Sequence, residues 1–416
     1  MKRDLLIQMR NEWRDNLWLI IGLAIVSFAI WWLTMNFYQQ VSGLFYEKGF
    51  DVEDVYMLDI SKIPSDSPEF IERSEEERAF LDSQDLRMLI ANIRNSQYVE
   101  AAAFSQNGLP YNFSYYGSAI YLDTEPKDTI GYSGNFRNMS PDMVKVLKLK
   151  SRTGKNLDEL ENILRSGSIL VSNMFSYWSA NYRAPEEFLD QNVILNYSDK
   201  TYRVGDIIHQ IRRSDYAVEP GGMVIFPINE EENLNADAVA IRIKPGMGEK
   251  FREEFENDRA MQQYGNYIFY KLTKMTDQAK SAQKSHSTNA RMGFALIMSL
   301  LIIIGLGMLG VFWFRTQQRI SEIAIRKVCG AKSSDIFRRI LSEGMLLLII
   351  ATLVVAAVGW PLMKATLLKE SEITNMTVFY SELITLAIVA LGITVSLWWP
   401  AHRAMKIEPA IAIKDE

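Results

Sequence analysis

Four stretches of this chain, residues 17–35, 292–314, 345–363 and 383–399, contain no Asp, Glu, Lys, Arg or His; one lies near the start and three near the end. A helix rises about 1.5 Å per residue, so runs of this length match a hydrocarbon core about 30 Å thick. Buried helices of large soluble proteins seldom stay uncharged for so long, so the pattern specifies four membrane-spanning helices. The mean hydropathy of -0.05 hides them, because the polar residues 38–290 dilute the average.

The first stretch follows Arg3, Arg10 and Arg14 as a secretory leader would. It also carries Trp18, Trp31 and Trp32 and runs into Asn36-Phe37-Tyr38-Gln39 with no small-residue cleavage pattern, so it reads as a retained anchor. Basic residues resist translocation, whereas long domains cross largely regardless of charge. Lys2, Arg3, Arg10 and Arg14 precede the first span, Arg315, Arg319, Arg326, Lys327, Lys332, Arg338 and Arg339 lie between the second and third, and Arg403, Lys406 and Lys414 follow the fourth. Only Lys364 and Lys369 lie between the third and fourth. Both termini and the 315–343 loop are therefore expected in the cytoplasm, with residues 38–290 outside.

This divides the chain into a cytoplasmic amphipathic segment (1–16), a first span (17–37), an extracytoplasmic domain with helical stalks and two subdomains (38–290), a second span (291–314), a cytoplasmic coupling loop (315–343), a third span (344–363), a short external loop (364–382), a fourth span (383–399) and a cytoplasmic tail (400–416). The 38–290 insert holds 28 basic and 38 acidic residues, a net of -10, which argues against nucleic acid as a partner. The single cysteine, Cys329, lies in the cytoplasmic loop, so the insert has no disulfide and relies on its core. Cys329 itself reads as a small neutral residue.

Within the insert, Phe37, Val41, Leu44 and Phe45 on one side and Met275, Ala279 and Ala282 on the other recur at helical spacing, as a paired stalk would require. Between them the pattern predicts strands at 55–60, 99–104, 112–122, 168–171, 193–196, 202–208, 223–227, 238–243 and 267–272, with helices at 75–93, 141–147 and 249–257. Turn signals fall at Asn107-Gly108 with Pro110, at 131–134, at Glu219-Pro220-Gly221-Gly222 and at Pro245-Gly246. The expected class is a membrane protein with four transmembrane α-helices and a large α+β extracytoplasmic domain inserted between the first two, divided near 123–134 and 219–235.

Catalytic patterns are not found. Gly330-Ala331-Lys332-Ser333 lacks the Gly directly before the Lys and the earlier Gly that a phosphate-binding loop needs. Gly131-Tyr132-Ser133-Gly134 misses the nucleophile elbow by one residue. His209, His286 and His402 lie far apart in sequence, with His402 across the membrane from the others, and the acidic runs at 75–77 and 230–232 read as solvated surface. No catalytic residue, bound cofactor or metal is expected in this chain. The spans carry only Ser and Thr, such as Ser27, Ser299, Thr352 and Thr394, where ion-coupled carriers keep charges. The small residues Gly305, Gly307, Gly310, Ala356, Ala357 and Gly359 are expected to let helices approach.

The most specific segment follows the second span: Arg319-Ile320-Ser321-Glu322-Ile323-Ala324-Ile325-Arg326-Lys327-Val328-Cys329-Gly330-Ala331, then Lys332-Ser333-Ser334-Asp335-Ile336. Its spacing predicts a short amphipathic helix ended by Gly330 and a second helix with Ser333 or Ser334 as N-cap. Here the chain resembles the permease subunits of the MacB/FtsX-like ABC transporter family, which share Glu322, Ile323, Arg326, Gly330, Ala331, Asp335 and Ile336 of this segment. Arg10-Asn11 through Gly22, Pro400-Ala401-His402-Arg403-Ala404 and Glu408-Pro409 agree with the same family. So do Met139-Ser140-Pro141-Asp142 through Leu147, Ile169 through Asn173 and Tyr202-Arg203-Val204-Gly205-Asp206, although the family has a glycine where Lys148 stands.

The resemblance implies a non-catalytic permease subunit in a bacterial inner membrane, paired with a second copy or a related permease. A separate cytoplasmic ABC ATPase dimer would bind ATP and Mg and dock on Glu322, Ile323, Arg326, Lys327, Gly330, Ala331, Ser334, Asp335 and Ile336. Its strokes would move the periplasmic domain to export or extract a peptide, antibiotic or lipoprotein, with a periplasmic or outer-membrane partner and membrane lipid as further contacts. The alternative within the family is a division-type regulator that activates an external cell-wall hydrolase. The size of the insert favours export.

Overall fold

The computed structural model describes the chain apart from residues 1–12, 46, 113–115, 125–130, 173, 177–181, 196–197, 217–221, 232–233, 235, 367–374 and 409–416. The expectations resting on Lys2, Arg3, Arg10, Asn173, Glu219, Lys369, Pro409 and Lys414 lie outside the described residues. Chain contacts divide the protein into a globular unit, Gly43–Ser285, and a helical unit of Met1–Ser42 with His286–Glu416.

The globular unit is built on two βαβ segments. Strand Val55–Lys62, helix Glu75–Arg94 and strand Val99–Gln106 form one; strand Ala238–Ile243, helix Gly248–Asn257 and strand Tyr267–Lys274 form the other. In the sheet the four strands stand in the order fourth, first, third, second, every neighbour antiparallel, which is a split βαβ arrangement. Side chains alternate across a strand, and here both faces are buried. Tyr56, Leu58, Val239, Ile241 and Phe104 pack under the helices on Leu86, Leu89, Ile90, Ile93, Phe251 and Phe255. Val55, Met57, Ala103, Ala238 and Ala240 point the other way, into a core with Met143, Val146, Leu147, Leu160 and Leu164. Met275, Ala279 and Ala282, read from their spacing as one side of a stalk, are buried in this second core. Leu44 and Phe45, expected on the other side, are exposed.

Residues 107–237 are an insertion between the second and third strands of this sheet. They add the strands Tyr116–Leu122, Tyr132–Met139, Ile169–Val171, Asn192–Leu195, Ser198–Ile207 and Gly222–Pro227, which close on a third core of Ile120, Tyr132, Phe136, Phe188, Val204 and Phe226. The sheet runs on without interruption, because Ser105 and Gln106 pair with Met139 and Asn138. A division near 123–134 is therefore corrected: Tyr116–Leu122 and Tyr132–Met139 are hydrogen-bonded neighbours. The expected glycine turn at 131–134 is corrected with it, since Tyr132, Ser133 and Gly134 open a strand whose polar composition hid its period. The helix Leu157–Arg165 was not anticipated, although Asn156 and Glu159 form a reciprocal capping box at its start. The turns at Asn107 and Gly246 are present, with φ of +56° and +74°.

In the helical unit, Trp13–Ser42, Met275–Gln318, Ser333–Thr366 and Asn375–Met405 contain segments long and apolar enough to cross a membrane. Leu23, Ile30, Met308, Leu347, Ala351, Val389, Ile393 and Leu397 form their shared core. Trp18, Ile25, Leu306, Leu353 and Leu391 are exposed, so the helices are apolar on both the packed and the outward face, as a lipid solvent demands. Trp31 Nε1 donates to Ser381 Oγ at 3.0 Å and Trp360 Nε1 to Glu382 Oε2 at 2.7 Å, tying the first and third spans to the fourth. Gly359 lies against Trp31 and Phe28 and Gly305 against Ser396, while a Cβ on Gly307 or Gly310 would meet no heavy atom within 4 Å. Two of the expected close approaches are thus present.

Lys148 ends helix Met143–Leu147 with φ +46°, the left-handed region that strains any residue with a Cβ. Lys148→Gly should raise the stability of the globular unit by about 1 kcal/mol, read as a higher melting temperature of the purified protein. Burial raises the Asp237 carboxyl above the usual carboxylate range; the Asn107 amide opposes this and Asp59 adds to it. A carboxyl whose folded pKa is raised stabilises the fold when protonated, so its stability is lost as pH climbs from the ordinary carboxylate range through the folded value. Asp237→Asn should therefore raise the melting temperature at pH 7, and the gain should shrink as the scan is repeated towards pH 4.

Candidate functional site

The segment linking the second and third spans is a helical hairpin built by ordinary capping chemistry. Helix Ile320–Val328 ends where Gly330 takes φ +95°; the Ala331 amide then reaches back to the Arg326 carbonyl and the Gly330 amide to Lys327. This pair of bonds satisfies carbonyls that the helix end would otherwise leave bare. The next helix opens at Ser333, not after it, so the expected serine N-cap is corrected: Lys332 is the cap residue and Asp335 Oδ2 accepts its backbone N–H at 3.0 Å. Ser333 Oγ lies 3.4 Å from the carbonyl of Met405 instead, while Ser334 is exposed.

The residues singled out from sequence separate into four roles. Ile323 and Ile336 are buried with Ile340 in the core of the helical unit, with Ala324 buried beside them, and there they fix the hairpin. Glu322 accepts from Arg326 at 2.6 Å one turn on and lies 4.0 Å from Arg339, an exposed intrahelical pair worth a fraction of a kcal/mol. Lys327 Nζ donates to the carbonyls of Met405 and Ile407 at 2.7 and 2.8 Å, latching the hairpin to the end of the fourth span. Gly330 is exposed and Ala331 half-buried, and both serve the turn.

Four residues carry more than the sequence reading gave them. Glu343, 5% exposed, accepts from Arg315 at 3.0 Å and from Arg319 at 3.1 Å, joining the ends of the second and third spans across the hairpin. Ile325 and Val328, three residues apart and so neighbours on the helix surface, stand 56% and 65% exposed, while Ile323 and Ala324 are buried. Their apolar character on the outward face was visible in the sequence, but spacing alone does not say which of the four isoleucines, Ile320, Ile323, Ile325 and Ile336, point inward. Arg403 lies 4.2 Å over the Trp313 ring, which stacks on Trp399, so the second and fourth spans are also joined at this end. The arrangement is a stiff bracket: a short helix held by side chains from three spans, with one apolar edge left outward. Among the described residues no group of three or more His, Cys, Asp or Glu side chains is arranged to hold a metal ion.

Removing one partner of a buried charged cluster strands the others, at a cost of about 3 kcal/mol, whereas an exposed pair costs less than about 1 kcal/mol. Glu343→Ala should therefore lower the melting temperature of the membrane-embedded protein markedly and Glu322→Ala hardly at all, read from the thermal loss of monodisperse protein.

Residues 293–409 match the model of the FtsX-like permease C-terminal family. The pyoverdine export ATP-binding/permease protein PvdT of Pseudomonas fluorescens is 24% identical over 185 residues, covering 44% of this chain and 27% of that protein. The macrolide export ATP-binding/permease protein MacB of Pectobacterium atrosepticum is 23% identical over 183 residues, covering 43% of this chain and 27% of that protein. The chain spans about a quarter of the length of these relatives. The extracellular domain of the ABC-type transporter YknZ aligns with 52% of this chain and all of its own at 13% identity and a TM-score of 0.29, too slight a likeness to define the fold.

Proposed function

Because this chain is a MacB/FtsX-like permease, a multi-pass membrane protein whose residues 293–409 form an FtsX-like permease domain, we propose that it is the membrane subunit of an ATP-driven export complex. In this reading a separate ABC ATPase docks on the 320–336 hairpin in the cytoplasm and supplies ATP and Mg, and two permease chains form the working pair. The globular unit lies outside the inner membrane and does the work on a peptide, antibiotic or lipoprotein cargo. The curated relatives carry ATP-binding and permease functions under one name, so the division of labour between chains belongs to this proposal.

The observation that carries it is the bracket. A partner pushing on Ile325 and Val328 meets a helix with little freedom to yield locally, because Ile323 and Ala324 are buried beneath it and Lys327 and Glu343 bind it to neighbouring spans. Movement of the hairpin then becomes movement of whole helices. The helix Met275–Gln318 runs 44 residues without a break and contains the second span. Transmission of motion, instead of passage through a pore, agrees with spans whose uncharged stretches hold only hydroxyl groups.

The bracket also redirects the obvious test. Charge reversal at Arg326 and Lys327 is a poor probe, since Lys327 holds the carbonyls of residues 405 and 407 and its loss would loosen the fold. Ile325→Glu with Val328→Glu changes an exposed edge and leaves the core alone. The double variant should fold and insert normally yet bind its ATPase at least about tenfold more weakly, about 1.4 kcal/mol, measured by copurification and by stimulated ATP hydrolysis. Undiminished ATPase binding and cargo release would sink the proposal. Capture of a cell-wall hydrolase by the full-length protein, with no cargo moved, would favour the regulatory alternative.

A further inference from the structure

One irregular segment of the globular unit gathers polar ties from parts of the chain far apart in sequence. Residues 209–216 follow the strand Ser198–Ile207 and form neither helix nor strand, yet Ile211, Arg212 and Ser214 are buried. Arg212, 3% exposed, donates from Nη1 to the carbonyl of Gly43 at 2.6 Å and from Nη2 to that of Glu47 at 3.0 Å. The Gly43 amide in turn donates to the Tyr216 carbonyl at 2.9 Å. Gly43 is the residue directly after the helix that contains the first span.

Asp215 completes the arrangement. Its carboxylate accepts from Lys48 Nζ at 2.6 Å, from Tyr111 Oη at 2.8 Å and from Gln283 Nε2 at 2.7 Å. Lys48 lies a few residues beyond the first spanning helix and Gln283 lies on the helix that becomes the second span, while Tyr111 belongs to the inserted domain and is buried against Phe50. Burial alone would raise the Asp215 carboxyl; the bonds from Lys48, Tyr111 and Gln283 outweigh it and hold the group below the usual carboxylate range. The Tyr111 hydroxyl is pushed up by burial and by its bond to Asp215, so it stays a donor at every ordinary pH. Tyr111 is itself pinned, its amide donating to the Arg212 carbonyl at 3.2 Å and its carbonyl lying 3.4 Å from Gln278 Nε2.

We propose that residues 211–216 are a yoke that fixes the segments leading from the first span and into the second span to the inserted domain, with Asp215 and Arg212 as its positioning residues. The proposal deepens the export reading and rests on it for the direction of the motion. An ionic and hydrogen-bonded joint suits that task better than an apolar one. Apolar contacts slide at little cost because they have no preferred direction, whereas three donors meeting one carboxylate resist rotation of each of the elements that carry them. The Asp215 side chain is 13% exposed, so its bonds to Tyr111 and Gln283 are part-buried, while Lys48 reaches it from the surface.

The test uses the full chain reconstituted with its ATPase. Asp215→Ala should speed amide exchange of residues 43–50 and 278–285 at least about tenfold, while the strands 55–62 and 238–243 keep their protection. The same variant should hydrolyse ATP at the wild-type rate and release about tenfold less cargo per ATP, a change in ratio that simple loss of stability does not produce. Exchanging the pair, Lys48→Asp with Asp215→Lys, should restore both readings, because a lysine at 215 can donate to the new carboxylate, to the Tyr111 oxygen and to the Gln283 carbonyl after its amide turns over. Unchanged exchange in Asp215→Ala overturns the yoke, and so does faster exchange with wild-type cargo release per ATP. If the wild-type complex moves no cargo at all, the export reading fails, and the exchange measurement alone then decides whether the yoke exists.

Discussion

A hydrocarbon layer offers no hydrogen bonds, so every polar group placed near it must find its partner within the protein, and this constraint governs the whole molecule. It makes the spans helical and leaves their outer faces to Ile, Leu, Val and Trp. It also explains where the polar ties collect. Glu343 with Arg315 and Arg319, Lys327 with the carbonyls of residues 405 and 407, and Glu382 with Trp360 all lie near the ends of the uncharged stretches, where a charge escapes the full cost of burial. Inside the bundle the joints are apolar and able to shift; at the ends they are polar and directional.

That division decides what the helices can do. Side chains packed by dispersion and area alone have no preferred rotation, so the spans can tilt or slide against one another within a membrane at modest cost. The hairpin at 320–336 cannot deform in the same way, because its turn bonds, buried isoleucines and the Lys327 latch hold its shape. Within the globular unit, Arg242 plays a comparable part at the start of the first strand, donating to the carbonyls of Asp51, Glu53 and Val146 from a site 3% exposed. Each buried arginine here donates to backbone carbonyls, most of them outside helices and strands, and so ties irregular chain to its surroundings.

The membrane half was legible because lipid imposes a simple rule on sequence: long uncharged runs, basic flanks and a glycine at the end of the short helix. The strands and helices of the split βαβ core were legible for a related reason, since Val55 to Ile60 and Ala238 to Ile243 are apolar enough to announce strands buried on both faces, but their order in the sheet was not. What stayed hidden has a common cause. Strand Tyr132–Met139 carries Ser133, Asn135, Arg137 and Asn138, and its partners, not its composition, hold it extended. Helix Leu157–Arg165 had its signal in Asn156 and Glu159, which was overlooked among the surrounding charges. In the hairpin, the sequence showed the helix, its glycine stop and Ile323, whereas the burial of Ile336 and the bonds of Lys327 to the carbonyls of Met405 and Ile407 join positions that no local pattern brings together. The bonds of Asp215 to Lys48, Tyr111 and Gln283 join positions far apart in the chain, and no local pattern encodes such a meeting.

Long-range polar ties of this kind also set where the molecule can yield. The sheet is one hydrogen-bonded surface from Gly222–Pro227 to Tyr267–Lys274, and the buried faces of its central strands allow no slip, since moving a strand by one residue would turn every core side chain outward. The spans, by contrast, share a core of Leu, Ile, Val and Ala with few directional bonds among the described residues. Within the helical unit the polar hairpin is therefore the stiffer element and the apolar bundle the more compliant one.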